Sequence, residues 1–190
     1  MFVPILDKPT FFMPHTIIVL DFGSQYTQVI ARRIREANVY SHVIPYNTNL
    51  SEIKKLNPTG IVLSGGPASV LSPNSPKPSK KIFEIGVPIL GICYGLQLMG
   101  KMLGGKVERS EKREYGRSKL TSLSSNPLLH NLPKDLIVWN SHGDALTILP
   151  TGFRSIAKTE NSSHAAIFDS KRKFFGLQFH PEVEHTTKGS

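Results

Sequence analysis

The chain has 190 residues, of which 39% are hydrophobic and 8% aromatic, a length and composition suited to one ordinary domain with a normal core. No apolar stretch approaches the length of a membrane span and the first nine residues do not resemble a signal peptide, so we expect a soluble, unexported, cytoplasmic protein without a membrane partner. The formal charge of +9 comes from small basic groups without interleaved aromatic residues, which favours solvated faces over nucleic-acid binding.

The first hundred residues alternate between strand and helix patterns. Residues 1–14 are expected to form a flexible lead-in, because prolines at positions 4, 9 and 14 interrupt any regular pattern. The following patterns predict strands at 15–20, 39–44, 60–63 and 87–92, and helices at 25–37, 51–56, 80–85 and 94–103. Ser24 or Gly23 is expected to cap the first helix. This alternation predicts an α/β fold in which helices flank a mostly parallel sheet.

The pattern changes after about residue 105. Short strand-like runs at 118–123, 136–140, 153–158 and 165–168 predict a small antiparallel extension of the sheet. The apolar run at 174–179 is expected to rejoin the parallel part. We therefore expect one domain over residues 15–190.

The single cysteine lies in Gly91-Ile92-Cys93-Tyr94-Gly95, between an apolar strand and a helix. A lone cysteine is most often buried and structural, and by count alone a structural role remains open. However, small flanking residues permit the tight strand-to-helix bend of a nucleophile elbow, and a helix N-terminus favours the thiolate. The sequence therefore predicts that Cys93 is a nucleophile.

A histidine and a glutamate follow the last apolar strand, at positions 180 and 182. Alone, His180 is compatible with a structural role, and Glu182 with a solvated carboxylate or the first-turn acid of a helix beginning at Pro181. Residues two apart at a strand end can point the same way, so that Glu182 fixes the tautomer of His180. The pair predicts a base that takes the thiol proton and returns it to a leaving amine.

The segment Ser64-Gly65-Gly66-Pro67 follows another predicted strand. It is compatible with a simple turn, but glycine also lets the main chain approach a reacting atom, which makes the N–H groups of Gly66 and Tyr94 candidates for an oxyanion hole. The glycine spacing does not match a phosphate-binding loop. One cysteine and scattered histidines offer no ligand spacing, so no metal site is expected.

Three ordered motifs carry a family resemblance: Leu63-Ser64-Gly65-Gly66-Pro67, Gly91-Ile92-Cys93-Tyr94-Gly95-Leu96-Gln97 and Gln178-Phe179-His180-Pro181-Glu182. Over roughly residues 16–188 the sequence resembles class I glutamine amidotransferases, which have a flavodoxin-like fold. The resemblance implies that Cys93 attacks the side-chain amide of L-glutamine and forms a thioester. It implies that His180 and Glu182 assist, and that backbone groups of Gly66 and Tyr94 form the oxyanion hole.

The resemblance also implies a glutamine pocket. It places Gln97, Ser141, His142 and Gly143 around the amino-acid end of the substrate, with Ser141 and Gly143 offering main-chain groups. Tyr115 is a weaker candidate. Asp144 and the turn at residues 21–26 are expected to be interface or support elements, and no cofactor is expected in this domain.

Four further segments, at 20–26, 113–116, 139–144 and 181–186, are most similar to members that aminate xanthosine monophosphate to guanosine monophosphate in purine biosynthesis. The resemblance implies that ATP and Mg²⁺ chemistry belongs to a synthetase (ATP pyrophosphatase) domain and that the full-length protein is a homodimer. Because the chain stops where such members continue, we expect a fragment of a longer protein, with a subunit that needs a separate synthetase as the alternative.

Two other functions remain open from the sequence. One is the glutaminase subunit of another pathway, such as anthranilate or CTP synthesis, against which the Ser-His-Gly-Asp segment at 141–144 argues. The other is a regulatory module that binds glutamine without hydrolysing it. The presence of Cys93, His180 and Glu182 together argues against that module.

Overall fold

A computed structural model describes residues 15–189, so the expected flexible lead-in at 1–14 lies outside the described residues. The described part contains nine strands: β1 Thr16–Asp21, β2 Tyr40–Pro45, β3 Gly60–Leu63, β4 Ile89–Ile92, β5 Lys106–Ser122, β6 Asp135–Ile148, β7 Arg154–Lys158, β8 Ala166–Asp169 and β9 Phe174–Leu177. It also contains the helices α1 Thr27–Glu36, α2 Leu50–Lys55 and α3 Tyr94–Met102, and a short 3₁₀ helix at Lys80–Glu84.

These strands form one sheet in the order β2-β1-β3-β4-β9-β8-β7-β5-β6. The first five strands in this order are parallel and follow the 2-1-3-4-5 order of flavodoxin-like sheets. The remaining pairings are antiparallel. Strand β9 joins the two parts, since Gly176 lies opposite Gly91 of β4 on one side and Ile167 of β8 on the other. This topology confirms the predicted fold class.

Helices cover both faces of the parallel part because its strands are apolar on both sides. Along β1, Ile18 and Leu20 belong to one core cluster with Leu96 of α3, whereas Val19 belongs to another with Ile30 of α1. The two clusters therefore lie on opposite faces of the sheet. None of the helices between residues 15 and 189 is long and apolar enough to cross a membrane.

The antiparallel strands β5 and β6 are much longer than the predicted runs at 118–123 and 136–140. The first half of β5 is rich in charged residues, so hydrophobic alternation does not mark it as a strand. It is nevertheless paired with β6 from Lys106 to Thr121, with a register shift between Arg109 and Glu114. Backbone pairing defines the polar half of β5 in this two-stranded arm, whereas Leu120 in its second half belongs to a buried core cluster with Leu136 and Val138 of β6.

The predicted cap of α1 was wrong. The helix begins at Thr27, two residues later than expected, and its N-cap residue Tyr26 makes no side-chain capping bond. The Ser24 hydroxyl instead accepts a hydrogen bond from the Tyr26 N–H at 3.1 Å, and Thr27 Oγ1 donates to Asp21 Oδ1 at 2.7 Å. The serine therefore stabilises the turn that precedes the helix.

Candidate active site

Cys93 occupies the bend between β4 and α3, with backbone angles of φ 51° and ψ −103°. A non-glycine residue in this region carries strain of about 1–3 kcal/mol, a feature that clusters at functional sites. The adjacent glycines make the bend possible: a Cβ on Gly91 would lie 2.6 Å from the backbone of Gly95, and one on Gly95 would lie 2.2 Å from the Leu63 carbonyl oxygen. The predicted elbow is therefore present.

The Cys93 side chain is buried. Its Sγ lies 3.7 Å from the carbonyl oxygen of Ser141 and 3.9 Å from Nε2 of Gln178. The Cys93 N–H donates to the Leu177 carbonyl at 2.7 Å, which ties the elbow to the end of β9. The residues that follow β9 are thus held beside the thiol.

His180 and Glu182 lie at this end of β9 and are paired at 2.7 Å between Nδ1 and Oε1. Both side chains are almost completely buried. The His180 main chain is fixed by donation from its N–H to the Trp139 carbonyl at 2.9 Å and by acceptance from Thr186 Oγ1 at 2.6 Å. Residues 181–189 form bends and turns without a helix, so the helix considered at Pro181 is not found.

The electrostatics of His180 favour its protonated form. Burial alone would lower its pKa, but the hydrogen bonds and charge attraction from Cys93 and Glu182 outweigh burial and raise the pKa to about 10. An imidazolium is therefore held at neutral pH between a sulphur and a carboxylate. The structure brings Cys93, His180 and Glu182 together in the order predicted for a nucleophile, a base and an orienting acid.

A cavity of about 470 Å³ opens above Cys93. Its lining includes all of the other residues predicted from the sequence for the oxyanion hole and the glutamine pocket: Gly66, Tyr94, Gln97, Ser141, His142 and Gly143. His180 instead lines a neighbouring cavity of about 270 Å³, together with the turn from Gly23 to Tyr26. Cys93 borders both cavities, so the two spaces meet at the thiol.

Two backbone segments beside Cys93 border this cavity, at Gly66 and Tyr94. The first hydrogen bond of α3 runs from the Gln97 N–H to the Cys93 carbonyl at 3.2 Å, so the N–H of Tyr94 has no acceptor within the helix. Gly66 comes close to the preceding turn, because a Cβ there would lie 2.8 Å from the Phe22 carbonyl oxygen. Only glycine fits at this position, and both residues border the same space as the thiol.

The side chains of two predicted pocket residues form hydrogen bonds with other residues of the protein. Gln97 Nε2 donates to the Asp144 carbonyl at 2.8 Å, and the two ring nitrogens of His142 lie 3.1 Å from that same carbonyl and 3.1 Å from Glu114 Oε2. The Asp144 side chain accepts a bond from Ser69 Oγ at 2.5 Å. Asp144 is thus bonded to α3 through Gln97 and to Ser69, and His142 is bonded to Glu114 of β5.

The sequence did not point to several polar residues around the site. Gln178 is buried, bonds Gln97 at 3.3 Å and approaches Cys93, although its motif was recognised without a role for it. Glu114 is buried behind the cavity and accepts from Thr159 Oγ1 at 2.8 Å. Burial would raise the pKa of Glu114, but the bonds from His142 and Thr159 outweigh this and hold it below its usual value. Arg109, which lines the cavity, was also missed, whereas Arg113 and Glu114 lay in the recognised segment 113–116 without a role.

Comparisons with known proteins agree with this geometry. A family model described as glutamine amidotransferase class-I matches residues 18–190. A GMP synthase (glutamine-hydrolyzing) of Caldanaerobacter subterraneus subsp. tengcongensis is 54% identical over 175 residues, which cover 92% of this chain and 34% of the relative. The enzyme of the same name from Aquifex aeolicus is 53% identical over 173 residues, covering 91% of this chain and 34% of the relative. The chain thus spans about a third of the length of these relatives.

Solved structures show the same fold. A Thermoplasma acidophilum protein provisionally named as part of a GMP synthase superposes with a TM-score of 0.82 at 31% identity, covering 93% of this chain and 88% of that one. A glutamine amidotransferase from Thermotoga maritima superposes with a TM-score of 0.71 at 23% identity, covering 89% and 76% of the two chains. The match to the family model, over almost the whole described part, confirms the resemblance read from the three motifs: the chain belongs to the class-I glutamine amidotransferase family.

Proposed function

We propose that this chain hydrolyses the side-chain amide of L-glutamine and supplies the ammonia for ATP-dependent conversion of xanthosine monophosphate to guanosine monophosphate. The observation that carries the hydrolytic part is the arrangement of Cys93, His180 and Glu182 at the meeting point of two cavities. The identity of 54% to a glutamine-hydrolysing GMP synthase supports the choice of pathway.

The first half of the reaction releases ammonia. The Cys93 thiolate attacks the amide carbon, and the N–H groups of Gly66 and Tyr94 donate to the oxyanion of the tetrahedral intermediate. The carbon–nitrogen bond then breaks as the His180 imidazolium gives its proton to the leaving nitrogen, which leaves a thioester and ammonia. The raised pKa of His180 suits this step, because the imidazolium is available at neutral pH.

The second half releases glutamate. His180, now neutral, takes a proton from water, and the resulting hydroxide attacks the thioester carbon. The carbon–sulphur bond breaks and the thiolate and imidazolium are restored, so that the cycle is balanced. Glu182 accepts from His180 Nδ1 throughout, which keeps Nε2 directed at the reacting atoms.

In this proposal a synthetase partner consumes the ammonia. The chain spans about a third of its GMP synthase relatives, which supports a synthetase (ATP pyrophosphatase) partner, in the same protein or in a separate subunit, that binds ATP, Mg²⁺ and xanthosine monophosphate. We propose a homodimer for the complete protein. The single free thiol suits a reducing compartment, which supports a cytoplasmic location.

The deciding experiment measures glutamate release from glutamine by the purified chain and by Cys93→Ala, with and without a synthetase partner. We expect release that falls by at least about a thousandfold in Cys93→Ala, since the nucleophile provides most of the acceleration. Synthesis from free ammonia in the complete enzyme should be retained in the variant, because only glutamine hydrolysis uses the thiol.

Alkylation provides a second measurement. A diazo-ketone analogue of glutamine should label the wild-type chain once, at Cys93, and glutamine should protect against it. Labelling without glutamate release under any condition would contradict the proposal and indicate a glutamine-binding module. Loss of ammonia-dependent synthesis in Cys93→Ala would also contradict it.

A further inference from the structure

We propose that Thr186 is a positioning residue for glutamine hydrolysis, whose hydroxyl group sets the place of the His180 imidazole beside Cys93. The hydroxyl does so by standing between the main chains of Trp139 and His180. Thr186 lines neither of the two cavities that meet at the thiol, so it acts through His180 and not on the substrate. The inference rests on the proposed function and deepens it, because it names a further residue on which the reaction depends.

The outer edge of β6 aligns the histidine with the thiol. Strand β6 is the terminal strand in the order of the sheet, and every second residue of such a strand directs its N–H and C=O groups to the open side. There the Trp139 carbonyl accepts from the His180 N–H at 2.9 Å. Two residues further along the strand, the Ser141 carbonyl lies 3.7 Å from Cys93 Sγ. The same edge therefore holds both groups, at points about 7 Å apart along the strand.

The Thr186 hydroxyl is inserted into the bridge between Trp139 and His180. In a hydrogen-bonded antiparallel pair, two residues exchange both of their N–H···O bonds. Here the His180 N–H donates directly, but the return bond runs through the side chain of Thr186. The Trp139 N–H donates to Thr186 Oγ1 at 3.0 Å, and this hydroxyl donates to the His180 carbonyl at 2.6 Å. A hydroxyl can accept and donate at once, so it completes the pair while it spaces the His180 carbonyl away from β6.

The contacts of the imidazole fix its orientation but not the position of its main chain. Glu182 Oε1 lies 2.7 Å from His180 Nδ1, and the Tyr26 ring packs edge-on against the imidazole with centroids 5.2 Å apart. Neither contact bonds the main chain of His180. Its N–H and carbonyl groups are bonded to Trp139 and Thr186. The spacing of the imidazole from β6, and hence from the thiol, therefore depends on the inserted hydroxyl.

Thr186 is itself held in place by the residues on either side of it. Its side chain is buried. The following residue, Thr187, donates its N–H to the Ile137 carbonyl at 2.9 Å, one step along the same edge of β6. The ring of the preceding residue, His185, packs against Trp139 with centroids 4.7 Å apart. Because both neighbours are bound to β6, the hydroxyl is fixed before a substrate arrives.

The first test measures glutamine hydrolysis by Thr186→Val, Thr186→Ser and Thr187→Val. Thr186→Val keeps the shape of the side chain but removes the hydroxyl, and kcat should fall about 10- to 100-fold, because displacing a reacting group by about 1 Å has an effect of this size. KM should change by less than about threefold, since Thr186 does not line the substrate cavity.

Two variants serve as controls for this loss. Thr186→Ser keeps the hydroxyl, so its kcat should stay within about threefold of the wild-type value. Thr187→Val makes the same chemical change in the adjacent residue, whose side chain is exposed, and should leave kcat and KM unchanged.

The second test measures the rate of Cys93 alkylation by iodoacetamide across a range of pH, which reads the same geometry without turnover. An imidazolium beside a thiol favours the reactive thiolate. The groups that act on the charge of His180 are Cys93 and Glu182, and none of the variants changes either of them. If Thr186→Val displaces the imidazole, the midpoint of the alkylation profile should move about one unit to higher pH. Thr186→Ser and Thr187→Val should keep the wild-type midpoint.

Circular dichroism separates loss of structure from loss of position, because each variant is compared at a temperature at which it has the wild-type spectrum. If Thr186→Val does not fold, Thr186→Ala decides, since it removes the hydroxyl without placing a second methyl group against the His180 carbonyl. Thr186→Ala should then show the lower kcat and the shifted midpoint relative to Thr186→Ser.

Three results would overturn the inference: a wild-type kcat without the hydroxyl, a fall in kcat with an unshifted alkylation midpoint, or a loss in Thr186→Ser as large as that without the hydroxyl. A wild-type chain that releases no glutamate under any condition would instead contradict the proposed function. The alkylation midpoint would still decide whether Thr186 positions His180, so the two failures are distinguishable.

Discussion

At the scale of single residues, the pairing of His180 with Glu182 predicts how hydrolysis responds to pH. The leaving amine needs a protonated imidazole, so hydrolysis should fall as the pH rises through the His180 pKa of about 10. Glu182→Gln removes the negative charge of one of the two residues that raise this pKa. We therefore expect the alkaline fall of kcat to move to lower pH in Glu182→Gln, as measured by a pH profile of glutamine hydrolysis.

The matched control for this change is Glu184→Gln, which removes an exposed negative charge two residues away. The alkaline fall of kcat in Glu184→Gln should occur at the same pH as in the wild-type chain. If kcat of Glu182→Gln also fell at the wild-type pH, Glu182 would not determine the protonation of His180, even though the two side chains lie 2.7 Å apart.

The three residues that the structure brings together at the candidate site were predictable from local sequence, whereas the buried polar residues around them were not. The glycines around Cys93 and the two-residue spacing of His180 and Glu182 at a strand end are signals that one segment contains. Gln178 and Glu114 depend on partners that are far apart in the sequence: Gln97 is 81 residues from Gln178, and Thr159 is 45 residues from Glu114. No local pattern marks such pairs, so only the fold identifies them.

At the scale of the elements, Glu114 is predicted to hold β5 and β6 in register. Glu114→Gln preserves the shape of the side chain but removes the charge that bonds His142 and Thr159. We expect a loss of about 1–3 kcal/mol in the free energy of unfolding at pH 7, because buried donors are left poorly satisfied. We also expect a higher KM for glutamine, since residues 141–144 line the cavity. Denaturant titration and steady-state kinetics measure the two effects.

The contribution of Glu114 to the free energy of unfolding should depend on pH. The folded pKa of Glu114 lies below its ordinary value of 4.5, so its stabilisation is present above that value and is lost as the pH falls through the folded pKa. The difference in stability between the wild-type chain and Glu114→Gln should shrink in that acid range. Glu108→Gln, on the same strand but exposed, should cost much less stability than Glu114→Gln, and an equal cost would contradict the anchoring role.

The elements of the parallel half were predictable because apolar residues define them. Strand β3 was predicted with its observed bounds, and β4 and α3 were predicted to within two residues. The arm of β5 and β6 was only partly predicted, since the first half of β5 is polar and its strand conformation depends on pairing with β6. Pairing between segments about thirty residues apart leaves no periodic pattern in either segment alone.

At the scale of the whole molecule, β9 joins the parallel and antiparallel halves into one sheet. Gly176, in the middle of this strand, is paired with Gly91 on one side and Ile167 on the other. A Cβ at this position would lie 2.8 Å from Leu96 Cδ1 of α3 and 2.9 Å from Ile167 Cγ1 of β8. A single added methyl group therefore strains contacts that belong to both halves of the molecule.

We predict that Gly176→Ala destabilises both halves together. Overpacking of about 1–3 kcal/mol should lower Tm by about 2–12 °C in a domain of this size. The one tryptophan, Trp139 of β6, reports on the antiparallel half by fluorescence, whereas far-ultraviolet circular dichroism reports on the whole sheet and its helices. Both transitions should shift by the same amount, because β9 belongs to both halves.

The control for this experiment is Gly143→Ala, whose Cβ would lie 3.7 Å from the nearest atom, an ordinary contact. Its Tm should stay close to that of the wild-type chain. If Gly176→Ala shifted only the circular dichroism transition and left the Trp139 transition in place, the two halves would unfold independently. The candidate active site would then depend on an interface between two units, since Cys93 follows β4 and the His180 N–H donates to the carbonyl of Trp139. A common shift instead means that the sheet holds the thiol and the imidazole as one cooperative structure.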